Sequence, residues 1–167
     1  MVIYLIDANV LIDASRDYYP ITRVPEFWEW LAYVAAAGHV KIPVEVYEEI
    51  QEGEDDLGKW ARSDGIKEAL LLDEEVDVFL VSRITDEGYA SDLTDDEVEK
   101  VGRDPFLIAY ALAAPGERCI VTTEVSKPTK QRANRHVPDV CNQFDVRCCD
   151  PFTFLRMLDF RTGWKSR

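Results

Sequence analysis

The sequence lacks the long apolar segment of a membrane protein, because no run in it approaches the ~20 residues that span a bilayer. It also has no basic stretch ahead of its first apolar run, residues 2–6, so a secretory signal peptide is not expected. We therefore predict a cytoplasmic protein that makes no contact with a membrane.

Cysteine is scarce, and the four that are present (Cys119, Cys141, Cys148 and Cys149) show no paired CxxC spacing. This pattern indicates neither a zinc site nor a disulfide framework. We expect small, buried thiols in a reducing compartment.

An excess of positive charge is also missing, since the formal net charge is −13. Overall charge therefore argues against non-specific binding to nucleic acid. The charge is uneven, however. Residues 1–100 carry 8 Lys and Arg against 25 Asp and Glu, whereas residues 101–167 carry 11 against 7. A local basic surface in the last third of the chain remains compatible with the composition.

Short apolar runs alternate along the chain with segments of helical periodicity. The runs fall at residues 2–6, 39–42, 119–122 and 146–149, and prolines at 25, 43, 105 and 151 suit the first turns of helices. This alternation predicts one α/β domain over residues 1–167, a three-layer α/β/α arrangement around a mostly parallel sheet of four to five strands. Residues 57–100 are predicted to be a variable segment of two or three helices with a short strand near 70–72.

Four acids occupy corresponding places next to the predicted strands. Asp7 and Glu124 follow strands directly, Glu49 lies in the helix after the second strand, and Asp104 heads an apolar helix. Because parallel strands share one carboxyl edge, where such sheets place their ligand crevices, we expect these acids to meet there. Crowded carboxylates raise each other's pKa values, and a hard divalent cation would relieve that repulsion. The pattern therefore favours Mg²⁺ or Mn²⁺ and phosphoryl chemistry.

Each acid also has a purely structural interpretation. Asp104 before Pro105 could be a helix N-cap, Glu49 could belong to a solvated acidic face, and Glu124 could be a loop acid. Asn9 could cap the helix that follows Asp7. The metal-site hypothesis is favoured because the structural interpretation needs four unrelated roles to place four acids at the same edge of the sheet.

These motifs resemble the PIN domain, a family of Mg²⁺- or Mn²⁺-dependent ribonucleases that includes toxins of type II toxin–antitoxin pairs. The family's strand followed by Asp-x-Asn matches Asp7 and Asn9, its helical acid before an apolar residue matches Glu49, and its Asp-x-x-Leu-Ile-Ala helix matches Asp104. Its fourth acid follows a Val-Thr strand end and is usually Asp, where this chain has Glu124. The segments at 18–20, 27–31, 104–109 and 138–141 are similar to one poorly characterised PIN-like branch.

The resemblance implies an endoribonuclease in which Asp7, Asp104 and Glu124 bind one or two metal ions. It implies that Glu49 binds metal or orients the attacking water, and that Asn9 and Thr123 support the ligands by hydrogen bonding. It also implies an RNA substrate, an antitoxin partner for a toxin, and a homodimer as in many relatives.

A basic segment follows Glu124 and would rise from the same edge of the sheet. Its Lys127, Lys130, Arg132 and Arg135, together with Arg103 beside Asp104, could hold RNA phosphates near the metal. The alternative for this segment is a mobile, solvated loop. Trp28 and Trp30 are further candidates, for stacking on bases, although Trp28 is expected to lie in the core or at an interface.

Two other functions are compatible with the sequence. One is a non-catalytic PIN-like module that binds nucleic acid or protein, which the acidity and Glu124 favour. The other is a phosphatase of the haloacid dehalogenase type, which also begins with a strand and an Asp. That family needs Asp-x-Asp, and Asn9 stands here in place of its second acid.

Overall fold

A computed structural model describes residues 1–166, so that only Arg167 lies outside it. The strands are β1 (Ile3–Ile6), β2 (Val40–Lys41), β3 (Arg118–Val121) and β4 (Arg147–Cys149). The α-helices of the described residues are α1 (Ala8–Asp13), α2 (Pro25–Ala36), α3 (Val44–Gln51), α4 (Asp56–Ala61), α5 (Ile66–Leu70), α6 (Val78–Arg83), α7 (Asp95–Val101), α8 (Asp104–Leu112), α9 (Val137–Gln143) and α10 (Pro151–Met157).

The four strands form one parallel sheet in the order β2-β1-β3-β4. In this sheet β1 and β3 lie side by side in the centre, with Ile6 opposite Val121. Nearly all of their side chains are buried, which explains why β1 is apolar throughout and β3 is apolar after its first residue, Arg118, rather than alternating. The predicted α/β class with a parallel sheet of four to five strands is confirmed.

Helices begin where the sequence supplies suitable first residues. Pro25, Pro105 and Pro151 stand in the first turns of α2, α8 and α10, where a missing N–H costs no hydrogen bond. Thr94 and Glu97 form a reciprocal capping box at the start of α7.

The segment between residues 57 and 100 differs from its prediction in detail. It contains all of α5 and α6 and most of α4 and α7, and the expected strand near 70–72 is reduced to a single parallel bridge between Ile42 and Leu71. These helices are only five to seven residues long, and such short elements leave a weak periodic signal.

Two π-helical segments extend α-helices. Ala14–Tyr18 continues α1, and Ile84–Tyr89 continues α6. Segments of this kind are rare and occur frequently near functional sites.

An aromatic cluster fills the space between α2 and α10. Trp28 and Trp30 are both buried, with Trp28 donating a 2.6 Å hydrogen bond from Nε1 to the Tyr19 carbonyl. Trp30 packs against Phe154 and Phe160. The hypothesis that Trp30 stacks on RNA bases is therefore wrong, because its ring is enclosed by the core.

Two broader features concern the part of the chain that the structure describes. None of its helices combines the length and the apolar character needed to traverse a bilayer. Its four cysteines are free thiols, with Cys119 and Cys141 buried and Cys148 and Cys149 partly buried.

Candidate functional site

Asp7 occupies the carboxyl end of β1 and is held there by its neighbours. Its backbone N–H donates to the Val121 carbonyl at 3.0 Å, continuing the β1–β3 pairing beyond the strands. The Thr122 hydroxyl donates to its Oδ2 at 3.0 Å, and the Asn9 N–H approaches its Oδ1 at 3.4 Å. Asp7 is thus the N-cap of α1, and Asn9 contributes through its backbone, with a side chain that is exposed.

Burial makes the Asp7 carboxyl group unusually basic. Only 6% of this residue is accessible to solvent, and burial raises the pKa of Asp7 to about 6. The hydrogen bonds from Thr122 and Asn9 act in the opposite direction, while the nearby charges of Glu124 and Glu49 raise the pKa further.

Asp104 shows the same effect more strongly. It is the first residue of α8, the N-cap position belongs to Arg103, and no side-chain hydrogen bond caps the helix. The N-cap interpretation of Asp104 is therefore wrong. Burial, followed by the charges of Asp7, Glu124 and Glu49, raises the pKa of Asp104 to about 8. The charges of the other three acids all act on Asp104, so the four acids lie near one another, as a shared site would require.

Glu124 connects the sheet edge to α9. Its N–H donates to the Thr122 hydroxyl at 3.2 Å, and its Oε2 accepts a 2.6 Å hydrogen bond from the Val137 N–H at the first residue of α9. In the structure, therefore, one carboxylate oxygen of Glu124 is engaged with a helix terminus.

Glu49 and Arg103 belong to a contact between α3 and α8. Arg103 lies 3.7 Å from the Glu49 carboxylate and 2.9 Å from that of Glu48, and it also donates to the Glu45 carbonyl. Burial raises the pKa of Glu49, and the Arg103 guanidinium lowers it. Arg103 was predicted to bind RNA, but the structure places it as a bridge to α3.

The four acids lie near one another, but their side chains do not form a metal-binding site in this arrangement. Within residues 1–166, no three Asp, Glu, His or Cys side chains are arranged to hold a metal ion as they stand. Glu124 is engaged with α9 and Glu49 with Arg103, while Asp7 and Asp104 have no cationic partner in the described chain. Chemically the donor set still fits a hard cation, because it consists of carboxylate oxygens, and two of these groups, Asp7 and Asp104, are buried without a cationic partner in the described chain.

A basic pocket of about 290 Å³ opens directly beside these acids. Asp104 and Glu124 line one side of it. The remaining lining residues include four cations and a histidine: Lys100, Lys127, Lys130, Arg135 and His136. The segment after Glu124 is also tied down, because Asp139 accepts hydrogen bonds from the Ser126 hydroxyl at 2.5 Å and the Lys127 N–H at 2.8 Å.

Not all of the predicted basic residues face this pocket. Arg132 has a positive φ of 54° and pairs with Asp92 at 2.8 Å and Glu97 at 2.9 Å, so it anchors the segment to α7. Lys127, Lys130 and Arg135 do line the pocket, as predicted, although Arg135 also donates to the Gly88 carbonyl.

An apolar pocket of about 410 Å³ lies beside the same strand end. Thr123 and Val125 line it together with the exposed aromatic rings of Tyr18 and Phe152, whose centroids are 5.8 Å apart. Residues 123 and 125 thus face the aromatic side, whereas Glu124 faces the basic pocket. Thr123 was predicted to support the metal ligands, and the structure places it in the aromatic pocket.

Sequence reasoning missed two groups at the site. Thr122, rather than Thr123, holds Asp7, and the signal was available because the residue directly after β3 must lie beside the residue directly after β1. Lys100 reaches the basic pocket from α7, and nothing local in the sequence indicates that placement.

Comparison with protein-family models finds one match, to a domain of unknown function (DUF4411), over residues 4–162. The chain belongs to this family. No curated protein and no solved structure matches it. The match covers every acid of the site and all of the sheet except the first residue of β1, so the acid edge described above is internal to the DUF4411 domain.

Proposed function

We propose that this DUF4411 domain is a PIN-like, metal-dependent endoribonuclease that hydrolyses RNA phosphodiester bonds. The observation that carries the proposal is the pair of buried carboxyl groups, Asp7 and Asp104, whose pKa values rise to about 6 and about 8 at the carboxyl edge of the sheet. Buried acids without a counter-charge are costly, and they are expected where a cation or a substrate completes the site.

The residues of the chain would divide the work as follows. Asp7 and Asp104 would bind the cation directly, with Asp7 kept in orientation by the Thr122 hydroxyl. Glu124 would join them after releasing the Val137 N–H, and Glu49 would take a proton from water or bind the cation. A bound Mg²⁺ or Mn²⁺ supplies positive charge and lowers the pKa of a coordinated water.

The two pockets beside the acids suit a single RNA strand. Lys127 and Lys130 are exposed, and neither forms an ion pair within the described residues, so both can contact backbone phosphates. On the other side of Glu124, the rings of Tyr18 and Phe152 offer an aromatic surface on which a base can stack. RNA lying across residues 122–125 would place a phosphate between these two surfaces, next to the acids.

A second candidate is a binding module without catalysis. It is favoured by the resting contacts of Glu124 and Glu49, since one of these acids must leave its partner before three carboxylates can share one ion with Asp7 and Asp104. In either case, a protein partner that covers the acid edge, such as an antitoxin, would compete with RNA. A homodimer remains part of the proposal.

Cleavage of labelled RNA tests the two candidates directly. Structured and unstructured RNAs are incubated with the purified protein in Mn²⁺ or in EDTA, beside Asp7→Asn, Asp104→Asn and the surface control Asp64→Asn. We expect cleavage in Mn²⁺ only, a loss on the order of 100-fold or more in the two site variants, and no change in the control.

Three results would count against the nuclease. Cleavage that persists in both site variants would show that these acids are not catalytic. Cleavage in EDTA would show that the reaction needs no metal ion. RNA binding with no cleavage and no calorimetric signal for Mn²⁺ would favour the binding module.

A further inference from the structure

Tyr89 carries the most conspicuous unsatisfied group near the site. Its side chain is 7% exposed, and its hydroxyl has no hydrogen-bond partner within residues 1–166. A buried tyrosine hydroxyl is normally paired, because an orphaned one forfeits its hydrogen bonds to water. An unpaired hydroxyl of this kind needs a physical explanation.

The surroundings of Tyr89 point toward the acid cluster. Burial is the main cause that raises the pKa of the Tyr89 hydroxyl above its ordinary value, and the charges of Asp104 and Glu124 raise it further. The Arg135 guanidinium, which acts in the opposite direction, donates to the carbonyl of the preceding Gly88 at 2.5 Å. A tyrosine phenol is neutral near pH 7, so Tyr89 keeps a proton to donate, and the segment that ends at Tyr89 packs against α8, whose first residue is Asp104.

The backbone holds this ring in place. Tyr89 ends the π-helical segment Ile84–Tyr89, which packs against α8 and α9. A Cβ at Gly88 would lie 2.9 Å from the Val140 Cγ1 atom, so only glycine allows the segment to approach α9 this closely. The Gln143 side chain adds a hydrogen bond to the Glu87 carbonyl at 3.0 Å.

Asp104, in turn, has a carboxyl group that lacks a hydrogen-bond donor within residues 1–166. Within the described residues no donor reaches its carboxyl group, whereas Asp7 has two donors, the Thr122 hydroxyl and the Asn9 N–H. We propose that Tyr89 is a positioning residue for Asp104, donating a hydrogen bond to its carboxylate directly or through one water when that carboxylate binds a cation. This inference rests on the proposed function, because it assigns Tyr89 to the metal-bound state of the same site.

The substitution Tyr89→Phe tests this inference, with Tyr47→Phe as a matched control. Tyr47 is also buried, but its hydroxyl is satisfied, because it donates to the Ala61 carbonyl of α4 at 2.6 Å. Mn²⁺ affinity is measured by calorimetry and the melting temperature is measured on the metal-free protein. For Tyr89→Phe we expect at least ~10-fold weaker Mn²⁺ binding with a melting temperature that is unchanged or higher, as loss of an outer hydrogen bond to a metal ligand would give. For Tyr47→Phe we expect a lower melting temperature, because a satisfied hydrogen bond is lost, and an unchanged Mn²⁺ affinity.

The outcomes separate the inference from the function on which it rests. If the wild-type protein binds Mn²⁺ and Tyr89→Phe binds it equally well, Tyr89 has no positioning role, whatever happens to the melting temperature. If the wild-type protein binds no Mn²⁺, the proposed function fails and this inference fails with it. Should Tyr89→Phe fold poorly, Tyr89→Leu provides the second variant, with the same expected loss of Mn²⁺ affinity and the same overturning result.

Discussion

Asp104 combines burial with three neighbouring carboxylates, and this makes the folded protein sensitive to pH. In the folded state the pKa of Asp104 is about 8, against 3.8 for an ordinary aspartate, so between these values the folded protein holds a proton that the unfolded chain releases. Asp104 therefore makes its full contribution to the free energy of unfolding below about pH 4, and this contribution is lost as the pH rises toward 8. Asp7 adds to the loss up to its folded-state value of about 6.

We therefore predict that the metal-free protein becomes less stable between pH 5 and pH 8. In Asp104→Asn the free energy of unfolding should depend less on pH. At pH 8 it should exceed that of the wild type by roughly 2–5 kcal/mol, because the buried charge is gone. Denaturant unfolding at several pH values measures this directly. Added Mn²⁺ should stabilise the wild type more at pH 8 than at pH 5. A wild-type protein as stable at pH 8 as at pH 5 would contradict the prediction.

Thr122 and Thr123 provide a second test at the scale of single residues. Thr122→Val removes the hydroxyl that donates to Asp7 and accepts from the Glu124 N–H, so we expect a loss of about 1–3 kcal/mol in unfolding free energy. Mn²⁺ affinity should fall by roughly 10-fold. The matched control is Thr123→Val, which changes a residue of the apolar pocket and should leave Mn²⁺ affinity intact. Equal effects of the two variants would show that Thr122 has no special role.

Secondary-structure elements with strong local signals could be predicted from the sequence. The strand β1 is apolar throughout, and β3 is apolar after its first residue, Arg118. Helix α8 begins with Asp104-Pro105, followed by seven residues of which only Tyr110 is partly polar. The short helices between residues 57 and 100 were harder to predict. Their ends depend on individual caps, such as Asp55 bonding to the Gly58 N–H at 2.9 Å. The π-helical segments depend on tertiary packing, which the sequence does not display locally.

The basic segment shows how charge alone can mislead about function. All of its cations were predicted to face RNA, but Arg132 is fixed to α7 by Asp92 and Glu97, whereas Lys127 and Lys130 remain open. No local pattern distinguishes these residues. The difference arises because the turn at Arg132–Asn134 packs against α7.

We predict that Lys127→Ala with Lys130→Ala weakens RNA binding and lowers its salt dependence by about 1 to 1.5 in the logarithmic slope, since two phosphate contacts are lost. Arg132→Ala should instead lower the melting temperature, with RNA affinity nearly unchanged. RNA titrations at several salt concentrations, with catalysis blocked by Asp104→Asn, measure both effects. An equal loss of RNA affinity in the two variants would contradict the distinction.

At the scale of the whole molecule, the acids and the net charge of −13 oppose RNA binding. We therefore predict that RNA affinity rises at least ~10-fold when Mn²⁺ replaces EDTA, because a cation at the acid edge removes repulsion next to the scissile phosphate. The control is the same titration with K⁺ at matched ionic strength. In Asp7→Asn with Asp104→Asn the Mn²⁺ effect should shrink, since two buried carboxylates no longer need a counter-charge. If K⁺ at matched ionic strength raised RNA affinity as much as Mn²⁺ does, the prediction would be wrong.

Much of the candidate site followed from topology. Parallel strands share one carboxyl edge, so the positions of Asp7, Asp104 and Glu124 along the chain implied their convergence before any side chain was placed. What the sequence could not indicate was each side chain's resting partner, such as the Val137 N–H for Glu124. Those contacts depend on where α9 lies against the sheet edge, which is a property of the assembled fold.

The central pairing of β1 with β3 also bears on how the protein is made. Asp7 and the Thr122 that holds it are separated by 115 positions in the chain, and α8, which carries Asp104, immediately precedes β3. A nascent polypeptide therefore possesses none of this chemistry until the ribosome has released β3 and the residues after it. The site therefore requires the pairing of β3 with β1, a strand that is synthesised before it.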